Sequence, residues 1–283
     1  MSDRGLAAYI GELLGTLILT FIVTSVLVLF VSTGASAALG SDFAVVGLVN
    51  AFVLLVLVAS IGVASGGHFN PAVTLSFIAL RRMDPIDGAV YILAQLSGGV
   101  LGALLTKAFL LDEGRALDWG AVDVSPLLGG NFDGMLIEGI GAFVLVLALL
   151  ATALNPEVRK WAPLTYGVSL GMLVMVFGPL TGGSFNPARW FGPALVSGNF
   201  GGTWPYLVGP ILGALLAVVV YRFVIERSSG PAQELADELA PRGPAPPAGE
   251  APHLRQETTG GPGQAGGEGG QPPSRPPGGI AGS

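Results

Sequence analysis

The chain has 283 residues, 51% of them hydrophobic and only 11% charged, with a mean hydropathy of +0.67. That composition points to a polytopic membrane protein and away from a soluble globule. There is no cysteine, and the two histidines are His68 and His253, so thiolate metal sites, disulfides and a Cys nucleophile are excluded and a metal cage or His-based triad has little to be built from. The net charge of −6 sits partly in a polar tail and one loop; no cofactor, metal or nucleic-acid partner is expected.

A bilayer span needs about 20 mostly apolar residues. The N-terminus carries Arg4 and runs directly into the first such segment, Leu6–Val31, without a small-residue cleavage site. It is therefore expected to be a retained helix and not a signal peptide. Glu12 lies near its start, in Glu12-Leu13-Leu14-Gly15. The second span is Phe43–Ala64, and behind it comes Gly66-Gly67-His68-Phe69-Asn70-Pro71-Ala72. An apolar stretch, Val73–Leu80, follows and is too short to cross. Ala89–Leu111 is the third span, and Lys107–Asp133 is a long acidic connection.

The fourth span, Gly134–Leu154, opens on Glu138-Gly139-Ile140-Gly141. Asn155-Pro156, in a polar hinge, reads as an ordinary turn. After the fifth span, Ala162–Leu180, the earlier heptapeptide returns as Gly182-Gly183-Ser184-Phe185-Asn186-Pro187-Ala188, followed by Arg189. The two copies differ only at His68 against Ser184, and the offset is 116 (186 − 70). A short apolar stretch, Trp190–Val196, and a sixth span, Trp204–Ile225, complete the pattern. From Ser228 the chain turns to Pro, Gly, Ala, Glu and Gln, a composition with too few apolar groups to offset the entropy of ordering. The division expected is a channel-like domain over 1–227, with repeats at about 6–111 and 134–226, and a disordered tail over 228–283.

The repeated unit has a local chemistry. Proline suits the first helical position and asparagine the N-cap before it. Each copy reads as the start of a half-length helix whose positive end lies inside the membrane, with the glycine pair running extended before it. Irregular backbone at that depth is tolerated only where it lines water or is buried in protein. Three spans per half is an odd number, so the copies enter from opposite faces, as in the inverted repeats of channels and transporters. Leu101-Gly102-Ala103-Leu104-Leu105 recurs as Leu212-Gly213-Ala214-Leu215-Leu216. The pairs Gly98/Gly102, Gly167/Gly171 and Gly209/Gly213 suit close helix packing. Arg4, Arg81, Arg82, Arg159, Lys160, Arg222 and Arg227 fall on one side, which the positive-inside rule makes cytoplasmic together with both termini.

The paired motif, with Arg189 three residues after the second Asn, resembles the aquaporin (major intrinsic protein) family over roughly residues 7 to 226. The resemblance implies an all-α membrane fold of six transmembrane helices plus two re-entrant half-helices. It also implies one pore per chain, homotetrameric assembly in a lipid bilayer, and passive transport with no turnover chemistry. Asn70, Pro71, Ala72, Asn186, Pro187 and Ala188 would form the proton-excluding centre, each Asn pointing its NH2 donors into the pore. Asn50, Val174, Gly183 and Arg189 would form the selectivity filter. The filter departs from strict water channels, which carry Phe and His where this chain has Asn50 and Val174, and it is most similar to that of plant vacuolar-type intrinsic proteins. A wider constriction follows, admitting water and sized for ammonia, urea, hydrogen peroxide or glycerol.

Trp190, where glycerol facilitators usually carry Asp, and Tyr206 argue against a dedicated polyol channel; Leu207 argues the other way. The carbonyls of Gly66, Gly67, His68, Gly182, Gly183 and Ser184 are expected to form an acceptor ladder, opposite an apolar wall drawn from Val53, Leu57 and the fifth span. For His68 two readings stand: a pH gate, or a neutral donor in the pore wall. For Glu12 and Glu138 they are a proton relay, or structural acceptors for the N–H groups of the Gly-rich loops, with Gln95 as similar glue. The reading is a water channel of the cell membrane. A glycerol or small-polyol facilitator is the alternative, and an ion-coupled secondary transporter the more distant one.

Overall fold

The computed structural model describes residues 5–31, 41–200 and 202–226. Arg4, Arg227, His253 and the expected tail from Ser228 lie outside them. Among the described residues six helices are long and apolar enough to cross a membrane. They are α1 (Gly5–Phe30), α2 (Ser41–Ser60), α5 (Pro85–Phe109), α6 (Asn131–Ala153), α7 (Ala162–Thr181) and α9 (Thr203–Val220). A single turn, α3 (Gly62–Ser65), ends the second span, and two short helices, α4 (Pro71–Ala79) and α8 (Pro187–Ser197), follow the two heptapeptides. The short helices begin at the prolines, earlier than the apolar stretches suggest. Helix α5 likewise starts ahead of its hydropathy, because Pro85 sits at its first position and Asp84 accepts from Ile86 N at 2.9 Å and Asp87 N at 3.4 Å.

In lipid there is no hydrophobic drive between helices, so association rests on close packing of small residues. Helix α1 packs on α5, α6 on α9, and α2 on α7 across the two halves. The glycine pairs make all three contacts. A Cβ on Gly98 or Gly102 would lie 2.4 or 2.5 Å from the carbonyls of Leu13 or Leu17 on α1. On Gly213 it would lie 2.0 Å from Gly139 O, and on Gly167 2.5 Å from Ala51 O. The glycine-rich faces expected from the sequence are therefore consumed inside the chain and are not available to join copies of it.

A continuous core lies between the halves, with Leu19, Val23, Leu54, Phe69, Leu145, Leu150, Leu173, Val174 and Phe185 all buried. Outward positions such as Leu6, Phe52, Val176 and Leu212 stay exposed, as a membrane-facing surface requires. At one end, Arg82 and Arg222 both approach Glu226, at 3.3 and 3.7 Å. This ties the connection after α4 to the end of the sixth span; exposed pairs of this kind contribute at most about 1 kcal/mol.

Candidate functional site

Each heptapeptide is held from three sides. The first is its own acid. Glu12 accepts from His68 N at 2.9 Å and Phe69 N at 2.7 Å, and Glu138 accepts from Ser184 N at 3.0 Å and Phe185 N at 2.6 Å. Both acids are fully buried. Gln95 Nε2 adds a third bond to Glu12 at 2.7 Å, and Thr181 Oγ1 a third to Glu138 at 2.7 Å. The structural reading of the acids therefore has its geometry in both halves.

The second support is a glycine one turn beyond each acid. The ring of Phe69 occupies the space a Cβ on Gly15 would need, at 2.0 Å, and Phe185 does the same at Gly141, at 2.1 Å. Glu12 and Gly15 are three residues apart on one helix face, as are Glu138 and Gly141. The acid takes the N–H and the glycine takes the ring of the same phenylalanine. The third support is a hydroxyl just before each glycine pair: Ser65 Oγ accepts from Gly67 N at 3.0 Å and Thr181 Oγ1 from Gly183 N at 3.3 Å. These glycine and hydroxyl roles were not anticipated, although Ser65 and Thr181 stand at the same offset of 116 (181 − 65) as the motif itself.

Contrary to the expectation of extended backbone, the loops turn through the left-handed region. Gly66, Gly67, Gly182 and Gly183 have φ of 94°, 68°, 72° and 61°, and Phe69 and Phe185 follow at 47° and 50°. Left-handed backbone is cheap for glycine alone, so the glycine pair is required. The two phenylalanines adopt it at a cost, which the acid above and the asparagine opposite offset.

That asparagine belongs to the other repeat. Asn70 caps its helix by accepting from Ala72 N at 2.9 Å, and its Nδ2 donates to Phe185 O at 3.0 Å. Asn186 accepts from Ala188 N at 3.0 Å and Arg189 N at 3.3 Å, and its Nδ2 donates to Phe69 O at 2.8 Å. The two tips thus interlock. This corrects the expectation that each amide points its NH2 donors into the pore: one donor bridges the repeats. Pro71 and Pro187 are the first helical residues behind the caps, and Ala72 and Ala188 are fully buried there.

Beside the tips lies a cavity lined by the polar residues Asn50, Asn70, Asn186, Ser184 and Arg189 together with Leu19, Val23, Leu54, Leu145, Tyr166 and Leu170. It leaves about 20 Å³ for the centres of water-sized molecules, against the roughly 10–15 Å³ that a single water needs. Its apolar lining is Leu54 with residues of α1, α6 and α7; Val53 and Leu57 are buried in the core and are not among the lining residues. Asn50, which lines the cavity, donates from Nδ2 to Val46 O at 2.8 Å, one turn back on its own helix. Val174 and Gly183 pack against each other, with a Cβ on Gly183 3.2 Å from Val174 Cγ2, and neither lines this cavity.

Arg189 is 5% exposed, and its Nη1 donates to Gly120 O at 3.1 Å. The connection between the halves therefore folds onto the site, which the sequence did not signal. Its Val122 covers Gly182, and Ser125 N donates to Leu180 O at 2.8 Å. His68 is buried, with Nδ1 3.1 Å from Thr74 Oγ1 and its ring stacked on Phe77 at 4.5 Å. His68 O accepts from Tyr166 Oη at 3.1 Å. Among the described residues no hydrogen bond goes to the carbonyls of Gly66, Gly67, Gly182, Gly183 or Ser184. Nor is there a group of three or more His, Asp or Glu arranged to hold a metal ion.

Residues 2–221 match the family model described as Major intrinsic protein. A probable aquaporin TIP2-2 of Oryza sativa subsp. japonica is 37% identical over 79% of this chain and 89% of its own. Aquaporin TIP2-1 of Arabidopsis thaliana is 36% identical over 81% of this chain and 91% of its own. Among solved structures, the aquaglyceroporin from Plasmodium falciparum superposes with a TM-score of 0.69 at 22% identity, covering 82% of this chain and 99% of that one. At that identity the likeness speaks to the fold.

Proposed function

The chain belongs to the major intrinsic protein family, and on that premise we propose that it is a passive transmembrane channel for water and small neutral solutes that excludes protons and ions. One observation carries the reading: the N-terminal ends of two half-helices from opposite repeats meet, and Asn70, Asn186 and Arg189 line one water-sized cavity there. Each asparagine amide spends one N–H on the other repeat and has a second to offer a solute oxygen, which at Asn70 is shared with the Tyr166 hydroxyl. A water accepting from both is oriented with its protons outward in the two directions, which interrupts a proton wire. The open carbonyls of the Gly-rich loops supply acceptors along the path.

Each helix end carries roughly half a positive charge. Two of them at about 4 Å, in an effective dielectric of about 20, cost a monovalent cation about 4 kcal/mol before its dehydration. That is roughly a thousandfold, and the Arg189 charge adds to it. Neutral solutes meet no such barrier. The filter assigned to Asn50, Val174, Gly183 and Arg189 has three small or short members, which favours a permissive constriction; a facilitator of small polyols remains the second reading on that ground.

We read the membrane as the cell membrane, and both termini as cytoplasmic because Arg81, Arg82, Arg159, Lys160 and Arg222 fall on one side in the sequence pattern. The channel domain is 1–227 and the tail 228–283. Homotetramers would assemble through faces other than the glycine seams. The test is stopped-flow shrinkage of proteoliposomes. A low activation energy with no need for a Na⁺ or proton gradient is expected, and loss of flux on Asn186→Ala or Arg189→Val in folded protein. A gradient requirement would overturn the channel reading in favour of a coupled transporter, and a solute panel decides between water and polyol.

A further inference from the structure

The Arg189 guanidinium has five N–H donors in a rigid fork, and its side chain makes one hydrogen bond among the described residues, to Gly120 O. Where the fork points therefore depends on where that carbonyl is held. Gly120 is pressed on α1, since a Cβ there would lie 2.6 Å from Thr24 Cβ. It ends a run of three left-handed residues: Asp118, Trp119 and Gly120 have φ of 48°, 50° and 85°. Such a run persists only when surrounding contacts hold it.

Among the contacts that hold it, one is made by a cation. Asp118 accepts from Asn199 Nδ2 at 2.9 Å, just beyond α8. Trp119 Nε1 donates to Leu111 O at 3.2 Å, and the face of its ring is covered by Lys107 Nζ at 4.0 Å from the centroid. Lys107 also donates to Val196 O at 3.1 Å, in the last turn of α8, where the helix dipole favours a positive charge. Helix α8 carries Arg189 in its first turn. Lys107 thus joins the far end of the helix that bears Arg189 to the strand of loop that grips the Arg189 side chain. It does so without an ion pair among the described residues, although Asp112, Glu113, Asp118 and Asp123 all lie in the adjoining connection. Arg115, the other cation of that connection, is exposed and pairs with Asp112.

We propose that Lys107 is a positioning residue for the constriction: through the Trp119 ring it keeps the Gly120 carbonyl on the Arg189 guanidinium and so limits the size of solute that passes. This rests on the reading of Arg189 as part of the filter. The test is the ratio of urea to water permeability in proteoliposomes, with melting temperature measured alongside. Lys107→Met and Trp119→Leu are expected to raise the ratio by about threefold or more, the shift that loss of a half-buried cation–π contact allows. Lys107→Arg and Trp119→Phe should return it to the parent value, and all four should melt near the parent temperature. An unchanged ratio in Lys107→Met and Trp119→Leu would overturn the proposal. So would a fall in water flux and melting temperature without a change in ratio, or failure of both variants to fold, since either marks a merely structural contact. The underlying filter reading fails separately, if Arg189→Val leaves both the water flux and the ratio where they were.

Discussion

Replacing Glu12 by alanine removes the acceptor for three donors at once: His68 N, Phe69 N and Gln95 Nε2. All three belong to residues with less than a twentieth of their surface exposed. Leaving a buried donor unmade costs about 1–3 kcal/mol. Three give about 3–9 kcal/mol, of the same order as the 5–15 kcal/mol that hold a typical domain together. Water entering the space vacated by the side chain recovers part of this, so the lower end, about 3 kcal/mol or a hundredfold in the unfolded fraction, is the working expectation. Glu12→Gln keeps one acceptor oxygen but turns an NH2 toward the remaining N–H groups, and should fall between the parent and alanine.

The assay is thermal unfolding in detergent, followed by tryptophan fluorescence, together with water and proton permeability in liposomes. Glu12→Ala should melt well below the parent and lose water flux as the Phe69 carbonyl leaves Asn186. The reasoning would be refuted by an alanine variant that melts and conducts like the parent. A glutamine variant of parent stability whose proton flux alone changed would restore the relay reading of this acid.

Gly213→Ala and Gly139→Ala test the seam between α6 and α9. The first places a Cβ 2.0 Å from Gly139 O, so the helices must part by roughly 1 Å to reach an ordinary C···O contact of about 3.3 Å. A loss of about 1–3 kcal/mol is expected, read as a lowered melting temperature. In the second the nearest atom is 3.2 Å away, and a change within about 0.5 kcal/mol is expected. At the filter, the double replacement Asn50→Phe with Val174→His adds ring volume on opposite helices. Urea and glycerol flux should fall more than water flux, and an equal fall in all three would show that these two positions do not set the constriction.

The sequence determined the features whose physics is local. Span length against bilayer thickness marked six helices, the odd number per half made the repeat inverted, and Asn before Pro marked two helix starts as caps. The aquaporin-like fold and family membership, with its water-channel relatives, followed from those signals. Even the acids were legible in outline, because a carboxylate in an apolar helix demands donors, and each repeat offers a glycine-rich loop that has them.

What only the tertiary structure decided are relations between residues far apart in the chain. Each heptapeptide codes for its own cap, but nothing within it reveals that Asn186 bonds to Phe69 O while Asn70 bonds to Phe185 O. The glycine pairs announced close packing without saying against what, and all three seams proved internal. Gly15 and Gly141 looked like generic small residues until the phenylalanine rings filled the space above them. Segment 112–125, an acidic connection by composition, became part of the site because Gly120 presents a backbone carbonyl, and a carbonyl is common to every residue. Side-chain type can be read from letters. A main-chain oxygen acquires its role from position alone, and position is set when the halves close on each other.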